Sequence, residues 1–372
     1  MTLATEKTRL VSPPPESPTK RARAVARRVL CLLGGFVLFV AALQLMKSGA
    51  SALEPALSGS AFTDNAWSTL GLGWLGSCLV LSGSPIAASA LSLLDGGAIN
   101  WTDAFTMITG SRLGAAFVVL VAGTIYALRH TARGGRRPPL SIGVVALFVT
   151  AVAYVPAAAI GFGLLKVGAL GTVAVSGPGT PGVAFSLTDA ALGWVAPLAG
   201  SVLPGPLLFP LGVAVLLLGF RVFDGGMPRV KGDRFAGHTD AWFTRKWAMF
   251  GLGCLVCLLT LSVSVSLTVL VPLVARRHLR LKDTIPYVAG ANITTLADTF
   301  VAAGVLGNQH AIQVVAAITV AVAVWTLTLL VAAYPLLQRA CLRVAALVLA
   351  SRKTLLACCV ALLGVPLVLI AV

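Results

Sequence analysis

Seven long apolar runs dominate this chain, and each is close to the length that a helix needs to cross a lipid bilayer. They lie near residues 29–47, 104–128, 140–164, 203–221, 284–306, 311–334 and 354–372. A transmembrane helix takes about twenty apolar residues to span the hydrocarbon core. A soluble core does not require such runs, and the composition, 58% apolar and 11% charged, agrees. The chain is therefore predicted to be an all-α integral membrane protein.

The net charge of +16 follows from how the chain is threaded through the membrane. Most Lys and Arg residues lie in short segments between apolar runs, where no soluble domain could present them to a nucleic acid. Residues 1–28 carry seven of them beside a Pro-rich stretch and are predicted to be a cytoplasmic tail. Because Lys and Arg favour the cytoplasmic side, we expect a multi-pass protein of the cell membrane, in a bacterium the inner one, with a cytoplasmic N-terminus.

Two further apolar segments, residues 68–93 and 247–273, are rich in Gly, Ser and Thr and have polar residues at their centres. If the first one crossed the membrane, the basic loop after residue 128 would lie outside. A re-entrant hairpin avoids this, and the same reasoning makes the second segment a hairpin that enters from the inside. All but three of the 28 Lys and Arg residues then face the cytoplasm, the exceptions being Lys47, Arg112 and Lys166.

An internal repeat appears when the chain is aligned with itself so that Gly71 meets Gly251. GLGWLGSCLVLSGSPIAAS from Gly71 then matches GLGCLVCLLTLSVSVSLTV from Gly251 without a gap. The register continues through paired Ser, Asp and Gly residues, which shared apolar composition does not explain. Three crossings per half make the second half enter from the opposite side, so the fold class is two inverted-topology repeats, each with one hairpin and about three transmembrane helices.

This topology divides the chain into five parts. They are the tail at residues 1–28, a first repeat at 29–165, an external Gly-rich connector at 166–202, a second repeat at 203–335, and a cytoplasmic segment with a final transmembrane helix at 336–372. Inverted-repeat transporters bind solute near the midplane, between discontinuous helices.

Hydroxyl side chains concentrate at the centres of both hairpins. The candidate substrate-binding residues here are Ser82, Ser84, Ser262, Ser264 and Ser266. Unwound hairpin tips expose N–H groups that favour an anion, while hydroxyl and carbonyl oxygens suit a hard cation. The alternative is that these hydroxyls bond back to carbonyls of their own helices.

A second polar break follows each hairpin, GSRLG at Gly110 and GANITT at Gly290. Arg112 either binds an anion, or instead forms a salt bridge with Asp298 or snorkels to an interface, because a fixed cation in the membrane is costly unless it is paired or hydrated. Asp298 either binds sodium or a proton or pairs with Arg112. Asp103 and Asp283 precede apolar helices and are predicted to be N-terminal caps.

The serine-bearing hairpins followed by GANIT-like segments resemble the sodium-dependent phosphate cotransporter family, whose repeats carry Gln-Ser-Ser-Ser and then Gly-Ala-Asn-Ile-Gly-Thr-Thr. LQLMKSGA, from Leu43, also resembles that family's first helix. Leu81 and Leu261 stand where the family has Gln. The resemblance implies sodium-coupled phosphate symport, with the five serines and Arg112 on the solute path. It places the coupling cation at Asn292, Thr294, Thr295 and Asp298.

Three functions therefore stay open. The first is phosphate symport with Na⁺ as coupling ion and no further cofactor or metal; the second is transport of another small anion on the same fold; the third is a non-transporting membrane sensor or scaffold. The chain has no Walker loop, H-E-x-x-H or G-x-S-x-G motif, so the sequence predicts neither ATP-driven transport nor an enzyme.

Overall fold

The computed structural model describes residues 18–57, 65–129, 137–169, 189–227, 245–276 and 279–372. Regular structure within these ranges is helical, without a strand. The helices are α1 (Pro18–Leu57), α2 (Ala66–Val80), α3 (Ser84–Asp95), α4 (Trp101–Ala115), α5 (Phe117–Arg129), α6 (Arg137–Lys166), α7 (Val195–Gly200), α8 (Leu208–Gly226), α9 (Lys246–Thr260), α10 (Val263–Thr268), α11 (Leu270–Ala275), α12 (Leu281–Thr294), α13 (Ala297–Leu306), α14 (Gln309–Ala332), α15 (Tyr334–Val348) and α16 (Arg352–Ala371).

Seven helical stretches in the described ranges are long and apolar enough to cross a bilayer. They are Ala22–Leu57, Trp101–Arg129, Pro139–Lys166, Gly205–Gly226, Leu281–Leu306, Gln309–Ala332 and Arg352–Ala371. Each overlaps one of the seven predicted spans, so the prediction of an all-helical protein with seven candidate membrane helices is confirmed.

The first helix begins earlier than the sequence predicted. We expected a tail through residue 28, but α1 starts at Pro18 and continues through the basic residues Arg23, Arg27 and Arg28, whose side chains are exposed. Proline is favoured in the first turn of a helix, and Ala and Arg are good helix formers, so the helix extends beyond its apolar part. The predicted tail up to residue 17 lies outside the described residues.

Both segments predicted to be hairpins are helices interrupted near their centres. The first interrupted segment, residues 66–95, breaks between α2 and α3; the second, residues 246–275, breaks between α9 and α10 and bends again at Val269. The first arm of each interrupted segment is the helix before its break, α2 or α9. Each of these helices ends at a leucine in the left-handed conformation, Leu81 with φ 56° and Leu261 with φ 46°. Among described residues other than glycine, these two have a positive φ.

Glycines allow the first arm of each interrupted segment to pack closely on the helix that follows the segment. A Cβ on Gly73 of α2 would overlap the carbonyl oxygen of Met107, and one on Gly253 of α9 would overlap that of Tyr287. The facing glycines behave alike, since a Cβ on Gly110 or Gly290 would overlap the backbone of α2 or α9. Close contact of α2 with α4 and of α9 with α12 therefore depends on positions without a side chain.

The remaining helices pack in corresponding pairs. Helix α1 lies against α8, and α6 lies against α14. The second arm of each interrupted segment contacts the other half: α3 packs on α13, and α10 and α11 pack on α5. Two large clusters of buried apolar side chains fill the spaces between them. The two turns are thereby brought to the same region of the molecule.

The far end of α3 is held by a small polar cluster. Lys47 Nζ of α1 lies 2.9 Å from Asp95 Oδ2, and the side-chain amide of Asn308 donates a 2.8 Å hydrogen bond to Asp95 Oδ1. At the start of α4 the N-cap residue is Asn100, whereas Asp103, which was predicted to be the cap, is the third helical residue and completes a reciprocal capping box. The prediction of a cap at Asp283 is wrong, because Asp283 lies within the first turn of α12 and the N-cap residue is Arg280, which makes no side-chain cap.

Candidate functional site

A pocket lies between the turns of the two interrupted segments and is closed by α1, α8 and α13. Its cavity volume is about 80 Å³. Its polar wall consists of the hydroxyls of Ser82, Ser84, Thr260 and Ser262 and the carboxylate of Asp298. Its other side is mostly apolar and includes one acidic residue, Asp224. The apolar members are Gly35, Phe36, Phe39, Gly219, Phe220, Phe223, Leu261 and Val301. A small polar solute would meet hydroxyl groups from both halves of the chain there.

The two turns touch one another. Ser264 Oγ donates a 3.3 Å hydrogen bond to the carbonyl oxygen of Leu81. Ser262 begins α10, where its side chain accepts a 3.3 Å hydrogen bond from the backbone N–H of Val265. Ser262 thus lines the pocket and caps a helix, whereas Ser264 joins the two turns and does not line the pocket.

The start of α3 presents its backbone to the pocket region without a side-chain cap. Gly83 is its N-cap residue and makes no side-chain hydrogen bond to the first turn. A Cβ at Gly83 would lie 2.8 Å from the carbonyl oxygen of Ser111, so a larger capping residue does not fit. The first N–H groups of a helix and its dipole favour a negative charge. The hydroxyls of Ser82 and Ser84 flank this end.

Arg112 is fully enclosed by the protein and is ion-paired. Its side chain is 2% exposed, and its Nη2 lies 3.5 Å from Asp298 Oδ1. Nη1 donates to Thr295 Oγ1 at 3.1 Å, and Nη2 also donates to the hydroxyl of Thr299. Of the predicted alternatives for Arg112, the structure has the salt bridge with Asp298. Snorkelling to an interface does not occur, because the guanidinium is buried.

The Arg112–Asp298 pair is only partly satisfied. Thr299 Oγ1 donates a 2.9 Å hydrogen bond to Asp298 Oδ1, but neither Asp298 Oδ2 nor Arg112 Nε has a hydrogen-bond partner in the described part of the chain. A buried carboxylate oxygen without a partner is costly in a medium of low dielectric constant. Asp298 also lines the pocket, so this carboxylate connects the pocket to the buried arginine.

Asn292 lies near this pair and faces α6. The side-chain amide of Asn292 lies within hydrogen-bonding distance of the hydroxyl of Thr150. The backbone carbonyl oxygen of Asn292 accepts a 2.7 Å hydrogen bond from the hydroxyl of Tyr154. Asn292 is 2% exposed and does not line the pocket. These contacts hold the end of α12 in place.

The other predicted site residues, Thr294, Thr295 and Ser266, do not line the pocket and make different contacts. Thr295 contacts Arg112, but Thr294 turns the other way and donates to the carbonyl oxygens of Cys254 and Gly290. Ser266 is buried, 3.0 Å from the hydroxyl of Tyr287, and does not reach the pocket. The structure therefore brings three of the predicted residues, Ser82, Ser84 and Ser262, together with Asp298 at the pocket.

Sequence reasoning missed several residues of this site. Thr260, Asp224 and the phenylalanines of α1 and α8 line the pocket, and Thr299 and Tyr154 support the buried pair. A signal existed for two of them, since Asp224 is an acidic residue at the end of an apolar run and Thr299 adjoins Asp298. Nothing in the apolar pattern distinguished the pocket phenylalanines from those that face lipid.

The family comparison concerns the second half of the chain. Residues 215–350 match the family model described as Na+/Pi-cotransporter. The match runs from within α8 to just beyond the end of α15 and includes the second interrupted segment, Asn292 and Asp298. No curated protein and no solved structure matches the chain. Over residues 215–350, the chain is therefore similar to the Na+/Pi-cotransporter family.

Proposed function

We propose that this protein is a secondary transporter of a small inorganic anion, with sodium-coupled phosphate symport as the leading function. The observation that carries this proposal is the pocket itself. Hydroxyls from two turns, one in each half of the chain, converge there on one buried carboxylate. The family match and the seven candidate membrane helices support a membrane transporter.

The anion would occupy the polar wall of the pocket. Ser82, Ser84 and Ser262 can donate their hydroxyl protons to anionic oxygens, and the uncapped start of α3 favours negative charge. Ser264 would keep the two turns in register through its bond to Leu81. Ser266 would hold the second turn against α12 through Tyr287.

The coupling cation would bind at Asp298. Oδ2 of this carboxylate has no partner among the described residues, and carboxylate and hydroxyl oxygens are suitable ligands for a hard cation. Thr295 lies within the same polar cluster. Asn292 and Thr294 would act through their own contacts, by fixing the end of α12 next to Thr295.

Arg112 would couple the two ions. A cation at Asp298 would compete with the guanidinium for the carboxylate, so that part of the positive charge of Arg112 would become available to an anion. Without the cation, the ion pair with Asp298 would neutralise the charge of Arg112, and an anion would gain little from it. Binding of cation and anion would then be mutually favourable, as a symporter needs.

Alternating access would arise from two inverted repeats whose interrupted segments are re-entrant hairpins. Support comes from features that recur at corresponding positions of the two halves: the left-handed leucines, the closely packed glycines and the breaks after Ala115 and Thr294. The basic start of α1 supports a cytoplasmic N-terminus in the cell membrane.

The direct test is uptake of labelled phosphate into proteoliposomes, with and without an inward sodium gradient. We expect sodium-dependent uptake by the wild type and its loss in Ser84→Ala and Asp298→Asn. Thr328→Ala is the matched control, because its hydroxyl is exposed and bonds within α14. Equal uptake with and without the gradient would exclude sodium coupling.

A panel of other small anions separates the remaining alternatives. Leucines at the positions where the family has Gln leave open a different anion on the same fold. Uptake of sulfate or a carboxylate instead of phosphate would establish that function. If correctly inserted protein transports none of them, the chain is a sensor or scaffold that has kept the transporter architecture.

A further inference from the structure

A second cavity lies beside α15 and shares no lining residue with the polar pocket. Its volume is about 580 Å³, within the range of pockets that bind small molecules. Its walls are nearly all apolar and come from α15, α11, the start of α12 and the start of α6: Val274, Leu279, Leu281, Leu342, Ala345, Ala346, Leu349 and Ala350, with Ser141 and Arg280 as polar members.

The position of this cavity along the membrane normal follows from the helices around it. Ser141 lies at the beginning of the candidate span Pro139–Lys166, and Leu281 is the first residue of the span Leu281–Leu306. Ala350 lies just before the span Arg352–Ala371. Three membrane helices therefore begin around the cavity, which places it at the boundary between hydrocarbon and water, where lipid headgroups lie.

Two exposed arginines lie in the lining of the cavity or next to it along the chain. Arg280 lines it, and the side chain is exposed. Arg343 is also exposed and precedes the lining residue Ala346 by one helical turn, so the two are neighbours on α15. Residues 334–372 contain Arg339, Arg343, Arg352 and Lys353 but no Asp or Glu. Neither Arg280 nor Arg343 takes part in the two ion pairs found among described residues, and Asp283, three residues after Arg280, is an acidic residue close enough to interact with the charge of Arg280.

Helix α15 has the form of a helix that lies in the membrane interface. Leu337, Cys341 and Ala345 are buried against the protein, whereas Leu336 and Leu347 are 69% and 67% exposed beside exposed Arg339 and Arg343. Helices that combine an apolar surface with Lys and Arg rest at the level of the headgroups and favour anionic lipids. Burial of Cys341 raises the pKa of its thiol to about 12, as expected for the protein side of such a helix.

We propose that this cavity binds an anionic phospholipid, with its phosphate at Arg280 and Arg343 and an acyl chain along the apolar wall. A soluble anion would gain nothing from the apolar wall, and a zwitterionic lipid would gain less from the arginines, since its own cation offsets its phosphate. The site is separate from the proposed transport pocket and does not depend on that proposal. An occupying lipid would brace α15 against α6 and α12.

Native mass spectrometry of the purified full-length protein in detergent tests this proposal, with phosphatidylglycerol, phosphatidylcholine and inorganic phosphate as probes. We expect phosphatidylglycerol to bind at least tenfold more tightly than phosphatidylcholine, and Arg280→Gln to weaken its binding roughly tenfold, the size of a lost charged hydrogen bond. Arg221→Gln is the matched control, an exposed arginine near the end of α8 that does not line the cavity.

A second pair of variants tests the apolar wall. Ala346→Trp fills the cavity and should displace the lipid, whereas Leu347→Trp, on the adjacent exposed position of α15, should leave binding unchanged. Equal binding of both lipids, or wild-type affinity in Arg280→Gln and Ala346→Trp alike, would overturn the proposal. Competition by millimolar inorganic phosphate would show a site for a free anion instead, and would also overturn it.

Discussion

Leu81 and Leu261 occupy corresponding positions in the two halves of the chain and share a left-handed backbone, with φ of 56° and 46°. Each one ends the first arm of an interrupted segment and precedes a serine that lines the polar pocket. A non-glycine residue in this conformation is disfavoured by contact of its Cβ with the following carbonyl oxygen. Two such leucines at corresponding positions therefore mark turns that the surrounding packing holds in place.

Replacement of Leu81 by glycine tests this strain. Glycine relieves a cost of roughly 1–2 kcal/mol at a left-handed position, while its greater freedom in the unfolded chain costs about 0.4–1 kcal/mol. We expect Leu81→Gly to unfold at the wild-type temperature or slightly above it. Leu79→Gly, at a helical and 73% exposed position, should lose about 1 kcal/mol. Thermal unfolding in detergent measures both; equal losses would mean that the turn is unstrained.

The closely packed glycines make a second prediction. Gly253→Ala forces a methyl group into the carbonyl oxygen of Tyr287, and we expect a loss of about 1–3 kcal/mol in the free energy of unfolding. Gly251→Ala, on the preceding part of the same helix, meets no atom within 4 Å and should be neutral or stabilising. Unfolding by denaturant compares the two variants. Equal stability would show that α9 and α12 are further apart than described.

The buried ion pair predicts an asymmetry between single and double substitutions. Asp298→Asn leaves Arg112 without its counter-charge, and removal of one partner of a buried pair costs about 3–5 kcal/mol. Arg112→Met with Asp298→Leu replaces both charges by apolar groups and should recover most of that stability. If Asp298 binds the coupling cation, the double variant stays inactive in sodium-dependent uptake despite its stability. Recovery of uptake would assign the pair a purely structural role.

Alanine substitutions at two serines distinguish a loss of anion binding from a loss of folding stability. Ser84 lines the pocket, so Ser84→Ala should raise the KM for the transported anion roughly tenfold or more, the effect of a lost hydrogen bond to a charged group. Ser266→Ala leaves the hydroxyl of Tyr287 without its side-chain partner and should lower stability by about 1–3 kcal/mol while KM stays unchanged. Uptake kinetics and thermal unfolding on the same preparations test this. A raised KM in Ser266→Ala would place that serine on the solute path after all.

Much of the architecture could be predicted from the chain alone. The length of the apolar runs identified the seven candidate membrane helices, because the thickness of a bilayer sets the number of residues that cross it. The polar residues at the centres of the interrupted segments located the breaks after Val80 and Thr260. The register that pairs Gly71 with Gly251 also pairs Leu81 with Leu261, and Gly73 and Gly110 with Gly253 and Gly290, the residues at which the turns and the close helix contacts lie.

The composition of the site depended on tertiary packing. Five serines had the same local pattern, yet Ser82, Ser84 and Ser262 reach the pocket, Ser264 joins the turns, and Ser266 is buried against Tyr287. Arg112 was compatible with an anion or with Asp298, and only the meeting of α4 with α13 selects the carboxylate. Apolar periodicity is a local property that fixes where helices lie along the chain. The direction in which each polar side chain points is decided by the helices packed around it, from the same half of the chain for Ser266 and from the other half for Ser264 and Arg112.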